Sequence, residues 1–276
     1  MSTIKVMVNG IPGNVARMVA GHILKDDRFE WIPYSLTGPE IQESESTVGN
    51  ISVKLIQADQ RKSQIEKIKH AYGEFLSVDY THPSAVNSNA EFYGLHGLPF
   101  VMGTTGGDRK KLEETVLSSA IAAVIAPNMA KQIVGFQAMM EYAADNFPDL
   151  FKDYSLEIKE SHQQGKADTS GTAKAMVGYF NKLGVSFSAD DIVRMRNPED
   201  QKSQWGIPEQ YLSGHGWHTY TLVSEDQTVR FEFTHTVNGR EVYVQGTVDA
   251  ILYLSEKVRA GAKGRMFTMI DVLQDG

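Results

Sequence analysis

The chain opens with an apolar strand that runs directly into a glycine turn and then a helix, "IKVMVNGIPGNVARMVAGHILKDD". Val15, Met18, Val19, Ile23 and Leu24 recur at helical spacing after that turn. Short apolar runs then alternate with helical stretches through the first half: "FEWIPYSLTG", "ISVKLIQ", "EFLSVDYTHP", "LPFVMGTTGG" and "AAVIAPNM". Repeated strand–helix–strand units with near-continuous apolar strands predict a parallel sheet covered on both faces. Pro33 weakens the second run as a strand, because proline donates nothing to a ladder.

After about residue 128 the pattern changes. "MAKQIVGFQAMMEYAADNF" reads as a long helix leading into the strand "YSLEIKESH". "SGTAKAMVGYFNKLG" is a second helix, with Ala173, Met176, Val177 and Phe180 at i, i+3, i+4 and i+7. "WHTYTLVSEDQTVRFEFTHTVNGREVYVQG" alternates with period two and carries turn signals at "SEDQ" and "NGR", which predicts antiparallel strands. A helix, "TVDAILYLSEKVR", and a short "MFTMIDVL" close the chain. The expected architecture is an α/β nucleotide-type domain over residues 1–128, followed by an α+β domain with a mixed or antiparallel sheet over 129–246.

Composition narrows the function classes. The formal charge of −7 argues against a general attraction to nucleic acid or to an anionic membrane. No cysteine is present, so disulfides, thiol nucleophiles and thiolate metal sites are all removed. No uncharged apolar run reaches the ~18 residues needed to span a bilayer. The early start of the first strand leaves no room for a secretory signal. The expected compartment is the cytoplasm, or the plastid stroma if a transit peptide has been trimmed from a precursor.

The turn "VNGIPGNVA" sets Gly10, Gly13 and Ala16 between the first strand and the first helix. A dinucleotide site needs small residues there, for a tight turn, for close approach of backbone N–H groups to a pyrophosphate, and for helix–strand packing. The phosphates then sit at the positive end of the helix. The same residues also serve a plain strand–helix turn, and the spacing departs from the usual G-x-G-x-x-G. A second loop, "GTTGG" at 103–107, follows the apolar run "PFVM" and can border the same crevice. The second run ends in "YSLTGPE" without an acidic residue at the turn; Ser35 and Thr37 offer hydroxyls and no repulsion to a 2′-phosphate, so NADPH is expected, with NADH use left open.

"ESHQQGKADTSGTAKAM" at 160–176 sets His162, Lys166 and Asp168 within seven positions and then enters a helix start. Asp168, Thr169 and Ser170 are N-cap candidates, and Gly171 and Thr172 would present first-turn N–H groups, a seat for a carboxylate. His162 suits proton transfer if it titrates near neutrality, and Lys166 supplies a positive charge or a proton. The combination predicts a site for an anionic substrate that needs protonation; a solvated loop before a capped helix is the alternative reading.

This stretch resembles the signature of the dihydrodipicolinate reductases, also called 4-hydroxy-tetrahydrodipicolinate reductases. "NGIPGNVA", "VDYTHP", "GTTGGDRKKL", "APNMAKQIV", "SGHGWHTYTL" and "GREVYVQGTVDAILYL" extend the resemblance in order along nearly the whole chain. Glu-Ser-His-Gln at 160–163 is closer to the plant-type branch than to the bacterial one. The resemblance implies a Rossmann-type cofactor domain, to which residues 247–276 return, and an α+β substrate and oligomerisation domain that makes the protein a homo-oligomer, a dimer or tetramer. It implies closure of the two domains on a small dicarboxylate substrate, reduced with NADPH or NADH. His162 and Lys166 match the catalytic histidine and lysine. Gly171 and Thr172 match the substrate carboxylate seat, Gln163 takes the place of a second, substrate-contacting histidine, and Arg240 matches an arginine near the substrate carboxylates. Gly10, Ile11, Pro12, Gly13, Asn14 and Val15, then Gly103, Thr104 and Thr105, then Ala126, Pro127, Asn128 and Met129 match cofactor-contacting segments. Asn14 stands where bacterial members carry an arginine.

His215, His218 and His235 show no recognisable ligand spacing, so structural or surface roles are expected and no metal site. Two other functions remain open: a reductase of another amino-acid intermediate, and a non-catalytic protein that senses dinucleotide.

Overall fold

The structure is a computed structural model that describes residues 3–275; Met1, Ser2 and Gly276 lie outside the described residues. The chain divides into two compact units, one running to Lys131 and resuming at Glu241, the other spanning 132–240. In the first, β1 (Ile4–Asn9), α1 (Asn14–Ile23), β2 (Phe29–Ile32), β3 (Tyr34–Leu36), β4 (Glu45–Val48) and β5 (Ile51–Ile56) are followed by α2 (Arg61–Tyr72), β6 (Leu76–Asp79), α3 (Val86–Leu95), β7 (Phe100–Met102), α4 (Arg109–Leu117) and β8 (Ala122–Ile125). The second holds α5 (Lys131–Asn146) from its second residue onward, β9 (Tyr154–His162), α6 (Gly171–Lys182), β10 (Val193–Met195), α7 (Pro198–Trp205), β11 (His215–Ser224) and β12 (Arg230–Asn238). The chain then returns to the first unit with α8 (Glu241–Arg259), β13 (Arg265–Phe267) and α9 (Met269–Asp275).

Six strands form the expected parallel sheet, in the order β13-β8-β7-β6-β1-β2, with every pairing parallel. Buried residues of α2, α3 and α4, among them Ile65, Ile68, Ala90, Tyr93, Leu112 and Val116, cluster with Met7, Phe100 and Met102 of the strands. On α1 and α8, Val19, Ala20, Ala250, Ile251 and Leu254 are buried, and α8 runs beside α1, β7 and β8. Apolar strands buried on both faces are what near-continuous runs require.

Two of those runs behave differently from expectation. The second splits at Pro33: β2 pairs with β1, but Tyr34–Leu36 pairs in parallel with β5 in a separate three-stranded sheet ordered β3-β5-β4. "ISVKLIQ" therefore belongs to this side sheet, antiparallel to β4, and not to the main one. Pro33 has no N–H to continue the ladder, while its carbonyl accepts from Lys54 N–H at 2.9 Å and so begins the new pairing.

The stretch "EVYVQG", expected as strand, instead forms the first turns of α8. Val244, Val248 and Ile251 fall on one helical face and all are buried, so tertiary packing overrides the β-propensity of the valines. Gly246 permits this. A Cβ at that position would lie 1.8 Å from the Met129 carbonyl oxygen.

The second unit is a four-stranded sheet ordered β10-β9-β11-β12, parallel between β9 and β10 and antiparallel elsewhere. Met140 and Ala144 of α5 and Ala173, Met176, Val177 and Phe180 of α6 bury with Ile158, Tyr220 and Leu222 of the strands. The helical spacing seen in the sequence is the core face of α6. Gly246→Ala is expected to destabilise the first unit by about 1–3 kcal/mol through overpacking, visible as a lower urea midpoint at unchanged m-value.

Candidate active site

In the first unit the turn after β1 and the loops after β6, β7 and β8 follow four neighbouring parallel strands at their carboxyl ends, where open α/β sheets bind ligands. Gly10 has φ +101° and a Cβ there would meet the Tyr80 carbonyl oxygen at 2.3 Å, so only glycine fits. Gly13 closes the turn through N–H to the Gly10 carbonyl at 2.8 Å. It also precedes α1 without any side-chain cap, as Gln60 and Ala85 do before α2 and α3, whereas α4, α6 and α7 are capped by Asp108, Ser170 and Asn197. An uncapped helix start behind a small-residue turn is the arrangement that takes a pyrophosphate, so the residues present fit a dinucleotide. Ile11 is buried, while Gly13 and Asn14 are exposed.

Asp79, fully buried at the end of β6, ties these loops together. Its Oδ1 accepts from Thr104 Oγ1 at 2.7 Å, from Thr81 Oγ1 at 2.8 Å and from Thr81 N–H at 3.0 Å. Its Oδ2 accepts from Tyr93 Oη at 2.7 Å and Asn89 Nδ2 at 2.9 Å. Burial, with Asp79 beside it, pushes the Tyr93 hydroxyl well above its ordinary pKa, which keeps it a donor. Thr104 thus spends its hydroxyl on the scaffold, and Thr105 is exposed. Asn128 Oδ1 accepts from Ala130 N–H at 2.9 Å; Ala126 and Met129 are buried and Pro127 is exposed.

Ser35 and Thr37, read from sequence as facing a 2′-phosphate, are buried and engaged. Ser35 Oγ accepts from Ile11 N–H at 3.0 Å, and Thr37 Oγ1 donates to the Ile56 carbonyl at 3.2 Å. Sequence reasoning missed Arg61, whose Nη2 donates to the Thr37 carbonyl at 2.7 Å and whose Nη1 donates to Asn89 Oδ1 at 2.9 Å.

In the second unit, β9 turns Leu156, Ile158, Glu160 and His162 to alternate positions, and Glu160 is buried with no exposed surface. Its cross-strand partner on β11 is His218, which pairs in turn with His235 on β12. His218 Nε2 lies 3.5 Å from Glu160 Oε2, and His162 Nδ1 lies 3.8 Å from Oε1. The His162 and His218 rings stand 5.1 Å apart, nearly perpendicular. Arg196 Nη2 donates to Oε1, and Ser170 N–H donates to Oε2 at 3.0 Å. Gly216, opposite His162, lets β11 run close beside the imidazole: a Cβ there would sit 3.4 Å from Nε2. Gln201 of α7 donates to the His162 carbonyl at 2.7 Å. His218, expected to be structural or superficial, is therefore a buried member of this cluster.

Burial pushes the His162 imidazole well below its ordinary value, helped by His218, Arg196 and Lys166 and opposed by Glu160. His162 is held neutral, so it does not titrate near neutrality as an unperturbed histidine would. For Glu160 burial acts upward, but the adjacent His218 imidazole, the hydrogen bond from Arg196, the nearby His162 and the Ser170 N–H outweigh it and bring the carboxyl down to about 2.

The loop from Gln163 to Thr169 carries Lys166, whose Nζ donates to the exposed Asp168 carboxylate at 2.8 Å; Gln163 accepts from Lys166 N–H at 3.0 Å. Ser170 caps α6 through Oγ, which accepts from Thr172 N–H at 3.2 Å, with Gly171 exposed in the first turn. Arg240, two residues past β12, makes no hydrogen bond or ion pair among the described residues. Glu160, His162 and His218 offer ligand atoms within 4.8 Å of one another. A cation there would compete with the guanidinium already seated on the same carboxylate, which disfavours a metal.

A Gly-turn parallel sheet in one unit and a buried carboxylate flanked by histidines ahead of a helix start in the other are parts expected of a two-unit, pyridine-nucleotide-dependent reductase. The chain belongs to the dihydrodipicolinate reductase family: the model for "Dihydrodipicolinate reductase, N-terminus" matches residues 4–129 and that for "Dihydrodipicolinate reductase, C-terminus" matches 133–273. It is 46% identical over 273 residues to 4-hydroxy-tetrahydrodipicolinate reductase 2, chloroplastic, of Arabidopsis thaliana, covering 99% of this chain and 78% of that one. Identity to 4-hydroxy-tetrahydrodipicolinate reductase of Herminiimonas arsenicoxydans is 27% over 282 residues, 99% of each chain. The fold is shared with a dipicolinate-bound dihydrodipicolinate reductase from Paenisporosarcina sp. TG-14, at TM-score 0.67 and 19% identity, over 97% of this chain and 98% of that one.

Both folded-state pKa values are lowered, so the unfolded chain takes up protons first. The stability contributed by neutral His162 is full above about 6.5, that of ionised Glu160 above about 4.5, and the latter is lost as pH falls towards about 2. Urea midpoints of the second unit are expected to fall along this acid limb, and Glu160→Gln should flatten its lower part.

Proposed function

We propose that the second unit binds a cyclic imine dicarboxylate of the dihydrodipicolinate type, that the first unit holds NADPH, and that the product is tetrahydrodipicolinate. Family membership makes the chain a pyridine-nucleotide-dependent reductase of lysine and diaminopimelate biosynthesis. What carries the residue-level reading is the Lys166 loop, set between a neutral, half-buried His162 and the start of α6.

The cofactor, when bound, supplies hydride for a ring carbon. The rest falls to side chains and amides of this chain. Gly171 through its N–H and Thr172 through its hydroxyl seat one substrate carboxylate at the positive end of α6, the Thr172 N–H being taken by Ser170 Oγ. Arg240, free of protein partners among the described residues, takes the other. Lys166 donates the proton that balances the hydride and regains one from solvent. His162, neutral, orients substrate by hydrogen bonding and does not act as an imidazolium acid; Gln163 adds an amide contact. Gly10 to Val15, Gly103 to Thr105 and Ala126 to Met129 line the cofactor, with Ser35 and Thr37 fixing the backbone beneath it.

NADPH is favoured over NADH because β3 itself ends without an acid, the nearest being Glu40 beyond the turn, and Arg61 brings a positive charge to the Thr37 carbonyl. The nine-residue β12 ends its sheet as an edge, with Phe231 exposed, which supports a homo-oligomer built through this sheet. Arabidopsis thaliana and Oryza sativa relatives are named chloroplastic. The compartment of this chain, cytoplasm or plastid stroma, is read out by where a full-length fusion accumulates.

With freshly condensed substrate and NADPH, Lys166→Ala is expected to lower kcat by about 10²-fold or more, followed by NADPH absorbance. Near-normal turnover would remove Lys166 as the donor. Arg61→Ala is expected to raise KM for NADPH about tenfold while leaving KM for NADH nearly unchanged, the signature of a lost 2′-phosphate contact.

A further inference from the structure

Lys166 sits in an irregular loop, with little structure of its own, that leads into the α6 amide seat. A rigid ring substrate needs these two groups at a fixed separation, since an error of about 1 Å at a reacting centre costs on the order of 10²-fold in rate. The loop is exposed at Gln164, Gly165, Ala167 and Asp168, and its internal ties are the turn bond from Lys166 N–H to the Gln163 carbonyl and the Lys166–Asp168 ion pair. Arg194 Nη1 holds its middle, donating to the Ala167 carbonyl at 3.1 Å; its flanks are fixed by a pair of residues that touch neither of the proposed catalytic side chains through a hydrogen bond.

Arg196 stands one residue past β10 and directs its guanidinium under the loop. Nε donates to the Lys166 carbonyl at 2.9 Å, and Nη2 donates to the Asp168 carbonyl at 3.3 Å, so the chain is held one residue either side of Ala167. Nη1 donates to the Met195 carbonyl at 3.2 Å and the Glu160 carbonyl at 3.4 Å, anchoring the guanidinium to β10 and β9. Nη2 also donates to Glu160 Oε1, and the other oxygen of that carboxylate accepts the Ser170 N–H at 3.0 Å. Ser170 is the N-cap residue of α6. One ion pair therefore references both the lysine loop and the helix start to the same point on β9.

We propose that Glu160 and Arg196 form a positioning clamp that sets the distance between the Lys166 ammonium and the carboxylate seat of α6. Glu160 has no exposed surface, and burying an ion pair is a poor route to stability because desolvation offsets the attraction. A fork of five N–H donors is needed to reach these acceptors at once, which lysine cannot supply. The cost of burial is explained by positional accuracy. This clamp rests on the substrate reading given above and extends it by two positioning residues.

The test uses the full-length chain with Arg196→Lys, Arg196→Ala and Glu160→Gln. Turnover at saturating NADPH is expected to fall about 10²-fold in Arg196→Lys and Glu160→Gln, while the NADPH dissociation constant stays within about twofold. Amide exchange should rise across residues 163–172 while β9, β11 and α6 beyond its first turn keep their protection. Added guanidinium ion should restore part of the turnover of Arg196→Ala, and methylammonium should not. A folded Arg196→Lys or Glu160→Gln protein with native exchange at 163–172 and turnover within about threefold of the unmodified chain overturns the proposal. So does loss of protection throughout the second unit in all three variants, which would make the pair a determinant of folding. The exchange measurement needs no substrate: an unmodified chain inactive on the imine dicarboxylate defeats the functional reading alone, and exchange at 163–172 still decides the clamp.

Discussion

A carboxylate taken out of water must be met by donors on both oxygens or it gives up its charge. Each unit of this protein is organised around one such group. Asp79 gathers donors from the loops after β6 and β7 and from α3, and thereby holds the crevice edge of the parallel sheet. Glu160 gathers Arg196, Ser170 and two histidines beneath the lysine loop. These loops have little apolar surface to bury, so polar satisfaction and not packing decides their shape.

The same carboxylate shapes the division of labour among the titratable groups. Burial keeps His162 from holding a proton of its own, although Glu160 pulls the other way. A histidine in that state can orient a ligand and accept a hydrogen bond, and in the proposed reaction proton delivery falls to Lys166.

Much of the fold was readable because apolar runs and helical spacing report burial directly: the α6 face at Ala173, Met176, Val177 and Phe180 is the core face in the structure. Reading failed where one residue's backbone chemistry redirects a run, as Pro33 does, or where a close approach is invisible in sequence, as at Gly246 against Met129. The "EVYVQG" valines read as strand because local propensity was all there was to weigh. In the candidate site the histidine, lysine and helix start were evident from their clustering. Glu160 was not, although a charged residue in register with Leu156 and Ile158 on a strand is itself a signal that a buried partner exists. His218 and Arg196 could not be matched to it without strand pairing, since β11 and β10 are distant in sequence. Ser35 and Thr37 were read as ligand hydroxyls because nothing in a sequence tells whether a hydroxyl is already spent.

The return of the chain at Glu241 has a consequence for synthesis. Residues 132–240 are contiguous, so the second unit has its whole sheet and both covering helices as soon as β12 has left the ribosome. The first unit, begun earlier, lacks α8 on one face and β13 at one edge until the last residues are made. Its half-covered sheet must wait in the cell with apolar surface showing. The part translated first is thus the part completed last, and nascent-chain chaperones would be expected to attend it.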